Sequence, residues 1–336
     1  MRLTFKQLKD EISKIVPKSI EYSVELEAGN IAIVTKEPMK FGGGDGLVGK
    51  IAKKVRRKIK IRPDKSIVKP ELEAKGIIES LIPESAELTQ IYFDGCFSEV
   101  IIQCQNPGDA VGRRGANVAE IREKTGWIPI VERTPPIFSK TVHDIRGYRS
   151  ANADERRKLL KDFGLNMHRP TRPGSSWARV TALGSYREVG RACHFVTTNE
   201  SRVMIDVGVN IASDTDPMPF FTAPEALPLE KLDAVVLTHS HLDHAGMLPV
   251  LFKYGYRGPV YCTPPTRDLM LLLQSDYIKV SGAEGRSPAY DMEDIRTCMK
   301  HVVDVDWGET TDISPDIKLT FSNAGHILGS SAVHLH

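Results

Sequence analysis

Ala234-Val235-Val236-Leu237-Thr238-His239-Ser240-His241-Leu242-Asp243-His244 is the stretch that decides how this chain is read. Its first four residues form an apolar run of strand type. The residues from His239 to His244 then place three imidazoles and one carboxylate within six positions. Imidazole nitrogen and carboxylate oxygen are the ligands zinc takes in sites that keep an open position for water. The cluster therefore predicts a metal site with hydrolytic chemistry, at the end of a strand and the start of a helix.

Working outward, Asp206 ends the apolar run Arg202-Val203-Met204-Ile205, and Ala324-Gly325-His326 follows the run Lys318-Leu319-Thr320-Phe321. Strand ends that face one way bring distant residues together at one sheet edge. His239, His241 and His326 are then expected to give three nitrogens to one zinc and to leave a fourth position for water. Asp243 and His244 are placed to begin a second metal site. Two neighbouring metals activate one hydroxide and clamp a phosphate during in-line attack. Asp206 is expected to accept a hydrogen bond from a ligand histidine or to position the loop. The bland alternative is a histidine-rich turn without metal. Between the two stands a site with one metal, or with a metal other than zinc.

The 336 residues are too many for one ordinary core, so two or more domains are expected. A net charge of only +2 names no partner by itself. The five cysteines are scattered, odd in number and without a close CxxC pair, which reads as a reduced, cytoplasmic protein rather than a disulfide framework. Neither a secretory signal nor a membrane span is expected.

The first 131 residues repeat one order of elements. An amphipathic helix over 3–16 precedes strands at Tyr22–Leu26 and Asn30–Val34. The glycine loop Gly42-Gly43-Gly44-Asp45-Gly46 and a basic helix from Leu47 to about Ile59 follow, and Ile61 and Ile67-Val68 offer a further strand. The order then recurs: helix Glu71–Leu81, strands Gln90–Phe93 and Glu99–Gln103, the loop Gly112-Arg113-Arg114-Gly115, helix Asn117–Lys124 and strand Trp127–Val131. Two units of similar order point to an internal duplication at the level of secondary structure. A charged, proline-rich connector with a short helix near Asp154–Phe163 leads to a strand-rich α/β region from Ala178 onward.

The motif HxHxDH, with the upstream strand-end Asp206 and the downstream Gly325-His326, resembles the metallo-β-lactamase superfamily. Gly184-Ser185-Tyr186-Arg187-Glu188-Val189-Gly190-Arg191, Met204-Ile205-Asp206-Val207-Gly208-Val209-Asn210 and Ala324-Gly325-His326-Ile327-Leu328-Gly329-Ser330 resemble its RNA-processing β-CASP branch. With the duplicated N-terminus, the chain is similar to the archaeal homologues of the cleavage and polyadenylation specificity factor nuclease. That resemblance implies an αββα metallohydrolase fold with two zinc ions per complete site, and cleavage of single-stranded RNA by an endonuclease, with 5′–3′ exonuclease trimming in some members. It also implies a role in RNA 3′-end processing or transcription termination. By the same resemblance His239, His241 and His326 match ligands of the first zinc, and Asp243 and His244 ligands of the second. Asp206 matches the strand-end aspartate, and Asp243 and Asp206 are the implied catalytic carboxylates.

The family carries a further bridging aspartate, a later zinc-ligand histidine and an inserted β-CASP domain that lids the RNA cleft. This sequence ends ten residues past His326. The expectation is therefore an α/β (α+β) chain corresponding to the N-terminal half, with a partial metallo-β-lactamase fold, an incomplete metal site and no β-CASP domain. The expected boundaries are a KH-like domain at 1–69, a second at 70–143, a linker at 144–177 and the metallo-β-lactamase part at 178–336. In a KH module a GXXG loop lets backbone amides approach phosphates. Gly112, Arg113, Arg114 and Gly115 fit that role well, because two forked guanidinium groups sit inside the loop. Gly43-Gly44-Asp45-Gly46 fits the spacing, but its carboxylate would repel a phosphate. Seven basic residues fall between 50 and 60 without an acid, Lys50, Lys53, Lys54 and Arg57 among them, and are expected to meet a polyanion. The implied partners are single-stranded RNA and the transcription machinery, with homodimerisation through the C-terminal region. Two other function classes compete: an RNA-binding or assembly factor with an inert metal site, and a hydrolase of small thioesters or lactams.

Overall fold

The computed structural model describes residues 4–42, 46–171, 177–213 and 217–336. They form two compact units, Met1–Lys158 and Leu159–His336. Among the described residues no helix is long and apolar enough to cross a membrane.

The first unit holds two layers of the same design. Helix α1 (Phe5–Ser13) begins with a capping box, in which the Thr4 hydroxyl accepts from the Gln7 amide. Strands β1 (Tyr22–Glu27) and β2 (Asn30–Thr35) form an antiparallel hairpin, and β3 (Ile59–Pro63), reached through α2 (Leu47–Val55), adds parallel to β2. The design recurs with α3 (Glu71–Leu81), β4 (Leu88–Asp94), β5 (Glu99–Cys104), the short α4 (Pro107–Val111), α5 (Ala116–Thr125) and β6 (Ile128–Arg133). There β5 is antiparallel to β4 and parallel to β6. Both sheets keep the order first, second, third strand, so the repeat read from the sequence is a repeat of topology too. The middle strand supplies each core: Ile31 and Ile33 in one, Val100 and Ile102 in the other, all fully buried. Each such side chain contributes about 1.5–3 kcal/mol of transfer free energy.

Three sequence expectations shift here. The basic helix ends at Val55, because Arg56 turns into a left-handed conformation (φ 53°) and Ile59 is needed in the sheet opposite Ile31. Ile67-Val68 is no strand; Lys65–Ile67 form one turn of 3₁₀ helix. The stretch expected as a linker is largely helical, with α6 (Lys140–Ala151) and α7 (Ala153–Met167). Its charges explain the misreading: Arg156 is buried against Asp94 (3.1 Å), and Arg157 donates to the Gly95 and Cys96 carbonyls, so residues that look solvated hold the β4–β5 turn. The division between the two compact units falls inside α7.

The second unit carries a six-stranded sheet built from β7 (Ala178–Gly184), β8 (Cys193–Thr198), β9 (Arg202–Ile205), β10 (Ala234–Val236), β11 (Val260–Cys262) and, after two helices, β12 (Val302–Asp304). The helices are α8 (Leu242–Ala245), α9 (Leu248–Lys253), α10 (Pro264–Ala283) and α11 (Met292–His301). Strands β9 to β12 run parallel, and β7 and β8 are antiparallel additions. All three residues of β10 are buried, as a central parallel strand requires. A second sheet orders β13 (Thr310–Asp312), β14 (Lys318–Asn323) and β15 (Ser331–Leu335). The helix that starts at the histidine cluster is broken between α8 and α9 by Gly246-Met247. The architecture is the mixed α/β class read from the sequence.

Candidate metal centre and arginine loop

Parallel strands deliver their following loops to one edge of a sheet, where ligands of such folds collect. Asp206 follows β9, Thr238 to His244 follow β10, and His326 lies in the turn between β14 and β15. Backbone bonds fix the three loops together. The Ser331 amide donates to the Thr238 carbonyl at 2.8 Å, tying the β14–β15 turn to the end of β10. The Ser330 hydroxyl accepts from the His326 and Ile327 amides (3.0 and 3.1 Å) and shapes the turn that presents His326. The buried Thr263 and Thr266 hydroxyls hold the Gly329 carbonyl from the other side. The segment Val207-Gly208-Val209 is laced to α8: Val207 donates to the His244 carbonyl (2.7 Å) and Val209 to the Leu242 carbonyl (2.9 Å).

Asp206 is the pivot of this edge. It is buried and left-handed (φ 61°), a conformation aspartate tolerates better than most side chains. One carboxylate oxygen accepts from the Thr238 amide at 2.8 Å. The other accepts from the Thr238 hydroxyl at 2.8 Å and from His244 Nδ1 at 2.8 Å. Since a carboxylate only accepts, the Thr238 hydroxyl spends its proton there and turns a lone pair to His239 Nδ1, 2.9 Å away. This selects the His239 tautomer protonated on Nδ1 and leaves Nε2 bare toward the other histidines. Burial, and then the neighbouring His244, push the His239 imidazole down to about 4, so it stays neutral near pH 7. Burial opposes charge on His244 as well, but the hydrogen bond and charge of Asp206 outweigh it and raise that imidazole.

His239, His241 and His326 offer nitrogens that all lie within 4.8 Å of one another. His241 Nδ1 is 3.2 Å from His239 Nε2 and 3.3 Å from His326 Nε2. Tetrahedral zinc with bonds of about 2.0–2.1 Å needs nitrogens about 3.3–3.4 Å apart. The donor set therefore fits zinc in element and number, and the two spacings from His241 Nδ1 match it. His239 lies at the buried end, His241 is half-buried and His326 is exposed, so the trio faces out from the sheet edge. Asp243 and His244, expected to begin a second site, stand outside this trio. Their nearest approach is Asp243 Oδ2 to His244 Nε2, 3.7 Å. Sequence reasoning named Asp206 but missed Thr238, whose hydroxyl links it to His239; the signal available was a threonine directly before the first histidine.

The second glycine loop joins α4 to α5. Gly112 and Gly115 have φ of 74° and 80°, and Arg114 between them is also left-handed. Arg113 and Arg114 are exposed at the tip. Of the first loop, Gly43, Gly44 and Asp45 lie outside the described residues, and Gly46 caps α2. Lys50, Lys53 and Lys54 are exposed on α2, with Lys54 3.3 Å from Glu11, while Arg57 is half-buried in the turn before β3. Two other histidines have structural partners: His143 Nδ1 meets the Tyr92 hydroxyl (3.1 Å) and His301 Nδ1 the Gly258 carbonyl (3.0 Å).

Residues 2–68 match the family described as the KH domain of transcription termination factor FttA, and residues 195–336 match the metallo-beta-lactamase superfamily domain. A protein of Methanosarcina mazei is 46% identical over 330 residues, covering 98% of this chain and 52% of that protein. One of Thermococcus kodakarensis is 44% identical over 339 residues, with coverage of 98% and 52%. One of Lokiarchaeum is 40% identical over 336 residues, with coverage of 99% and 53%. All three are named transcription termination factor FttA. The chain spans about half the length of these curated relatives. It belongs to the family that joins an N-terminal KH domain to a metallo-beta-lactamase domain, the family of the archaeal FttA proteins.

Proposed function

We propose that this chain carries the metal-binding and RNA-gripping parts of a zinc-dependent ribonuclease that acts on single-stranded RNA in transcription termination. The observation that carries the reading is the convergence of His239 Nε2 and His326 Nε2 on His241 Nδ1, at 3.2 and 3.3 Å, within a trio whose ligand atoms all lie within 4.8 Å of one another. His239, His241 and His326 would hold the first zinc, with Asp243 and His244 beside it for a second. Bound there, zinc supplies Lewis acidity toward a phosphoryl oxygen and lowers the pKa of water. The chain's own residues do the preparation. Asp206 and Thr238 fix the His239 tautomer and hold the loop. Neutral His239 keeps its nitrogen available near pH 7. The exposed side of the trio leaves room for an extended strand, and the exposed Arg113 and Arg114 would take phosphates through forked donors. The FttA name of the relatives supports the termination role, and the KH domain supports RNA as the substrate.

A second reading, an RNA-binding or assembly factor with an inert metal site, draws support from the donor group among the described residues holding only His239, His241 and His326, enough for one metal. Zinc analysis and cleavage of an end-labelled single-stranded RNA distinguish the two. The ribonuclease reading expects bound zinc and cleavage, both lost when His239 and His241 are replaced by Ala. Cleavage that survives the double replacement refutes the metal assignment. Zinc retention with tight RNA binding and no cleavage favours the inert site.

A further inference from the structure

Helix α8 is four residues long, a single turn that carries Asp243 and His244. One turn does not hold itself, because forming it fixes several dihedrals for one hydrogen bond. What holds α8 lies outside it. The Leu242 carbonyl accepts from the Val209 amide at 2.9 Å, the Asp243 carbonyl from the Ala192 amide at 2.8 Å and the His244 carbonyl from the Val207 amide at 2.7 Å. The fourth carbonyl, that of Ala245, accepts from a side chain instead: Gln274 Nε2 of α10, at 2.8 Å. Just beyond it Gly246-Met247 breaks the path to α9, so no continuing helix steadies this end.

Gln274 is fully buried, and its Oε1 accepts from no donor among the described residues. A buried amide with an unmet acceptor costs stability, and an apolar side chain of similar volume would fill the same space without that cost. Packing therefore does not account for glutamine here, whereas the bond to Ala245 does. The helix that carries Gln274 also holds the turn of His326. Thr263 at the N-cap of α10 and Thr266 in its first turn donate to the Gly329 carbonyl at 2.7 and 3.0 Å. Thr266, Met270 and Gln274 follow one another at i, i+4 along the buried side of α10. At 1.5 Å per residue, about 12 Å of helix separates the two attachments.

We infer that Gln274 is a positioning residue of the metal centre: through the Ala245 carbonyl it fixes α8, and with it the place of Asp243 and His244 relative to the histidine trio. The inference rests on the two-metal reading given above, in which Asp243 and His244 serve the second ion. Helix α10 then acts as a strut, with the His326 turn tied to its N-terminus and α8 tied to its middle. Paired metals work at about 3.5–4 Å from each other, so a small drift of one ligand pair is enough to spoil the second position. His241 stands at the N-cap of α8, at the far end from Ala245. Loosening the Ala245 end therefore acts on Asp243 and His244 before it reaches the trio.

The test replaces the glutamine in the full chain by Q274M, which keeps the volume and loses the donor, and by Q274L, which loses it with a different shape. Hydrogen exchange of metal-free protein, read by mass spectrometry, should quicken about tenfold over residues 242–247 in both variants. Exchange along β10 and the unfolding midpoint should stay as they are. Cobalt(II) titration, followed by its visible absorption, should show the first equivalent unchanged and the second weakened by roughly 10–100-fold, the range for residues behind metal ligands. Unchanged exchange over 242–247 overturns the positioning role. Exchange that quickens throughout the second unit with a lower midpoint, or failure of both variants to fold, makes Gln274 a core residue and overturns it too. A first equivalent weakened as much as the second overturns the assignment to Asp243 and His244. A single equivalent in the unmodified chain overturns the two-metal reading, and the exchange over 242–247 then decides the role of Gln274 by itself.

Discussion

A Cβ added at Gly208 would lie 1.7 Å from the Asp243 carbonyl oxygen, while one added at Gly115 would meet nothing within 4 Å, although its φ of 80° is left-handed. The two candidate sites of this chain need glycine for different reasons. At the histidine cluster the chain must pass against α8, and the requirement is steric. At the arginine loop the backbone must turn in a region that L residues avoid, and the requirement is torsional. The first site is over-determined by buried contacts. The second is an exposed loop whose shape resides in its dihedrals. Substitutions should therefore act on stability and metal together at the first site, and replacement of the loop side chains at the second should act on RNA affinity alone.

The largest effect should come from Asp206→Ala. It removes the acceptor of the Thr238 amide, the Thr238 hydroxyl and His244 Nδ1 at once. Leaving such groups buried and unpaired costs about 3 kcal/mol, and losing the support behind a ligand histidine costs roughly 10–100-fold in metal affinity. Chemical denaturation and zinc titration of the same preparation measure both. An Asp206→Ala chain that keeps full stability and full zinc affinity would show that the cluster is not organised through this carboxylate.

Gly208→Ala comes next, at about 1–3 kcal/mol, because an overpacked backbone contact has to open. Gly115→Ala should cost only about 1–2 kcal/mol, the strain of a left-handed alanine. Equal losses at the two positions would erase the distinction drawn here. Replacing Arg113 and Arg114 together by Ala should leave the unfolding midpoint unchanged, weaken RNA binding severalfold and reduce the salt slope by up to about two counterions. A shift in the midpoint would mean that the loop arginines support the fold rather than a ligand.

The same contrast explains what was legible in the sequence. The histidine cluster was readable because its ligands are chemically rare and sit directly after an all-apolar strand, so residue type and position agreed. The topological repeat was readable because β2 and β5 are apolar middle strands between turn signals. The ends of elements were less so. The basic helix looked longer than it is, since nothing in Lys53-Lys54-Val55-Arg56 announces the left-handed Arg56, and the strand that claims Ile59 is set by its partner Ile31. The helical connector was hidden for a related reason. Arg156 reads as a solvated charge until Asp94, 62 positions earlier, is seen to bury it. Thr238 escaped notice because a hydroxyl carries meaning only once its acceptor is in place.

The smallest effect separates the two histidines that flank Asp206, and it is sought in metal-free protein. In the unfolded chain His239 takes up its proton near its ordinary value of 6.5, whereas in the folded chain burial and His244 hold it down to about 4. Between those values the unfolded state binds more protons, so stability falls as pH drops from about 6.5 to about 4 and levels off below. For His244 the sign reverses. Its folded value is raised, so its contribution is complete below the ordinary imidazole range and is lost as pH rises through the raised value. His239→Asn should therefore flatten the acid limb of a stability profile measured by denaturation in chelator and leave the alkaline limb in place. His244→Gln should do the opposite. If both substitutions flatten the same limb, the two rings share one titration, and the tautomer assigned to His239 through Thr238 has to be abandoned. If each removes its own limb, burial and His244 hold the His239 imidazole down, while Asp206 raises His244 through a direct bond. That division leaves His239 available as a metal ligand near pH 7 and makes proton uptake by His244 the more favoured of the two.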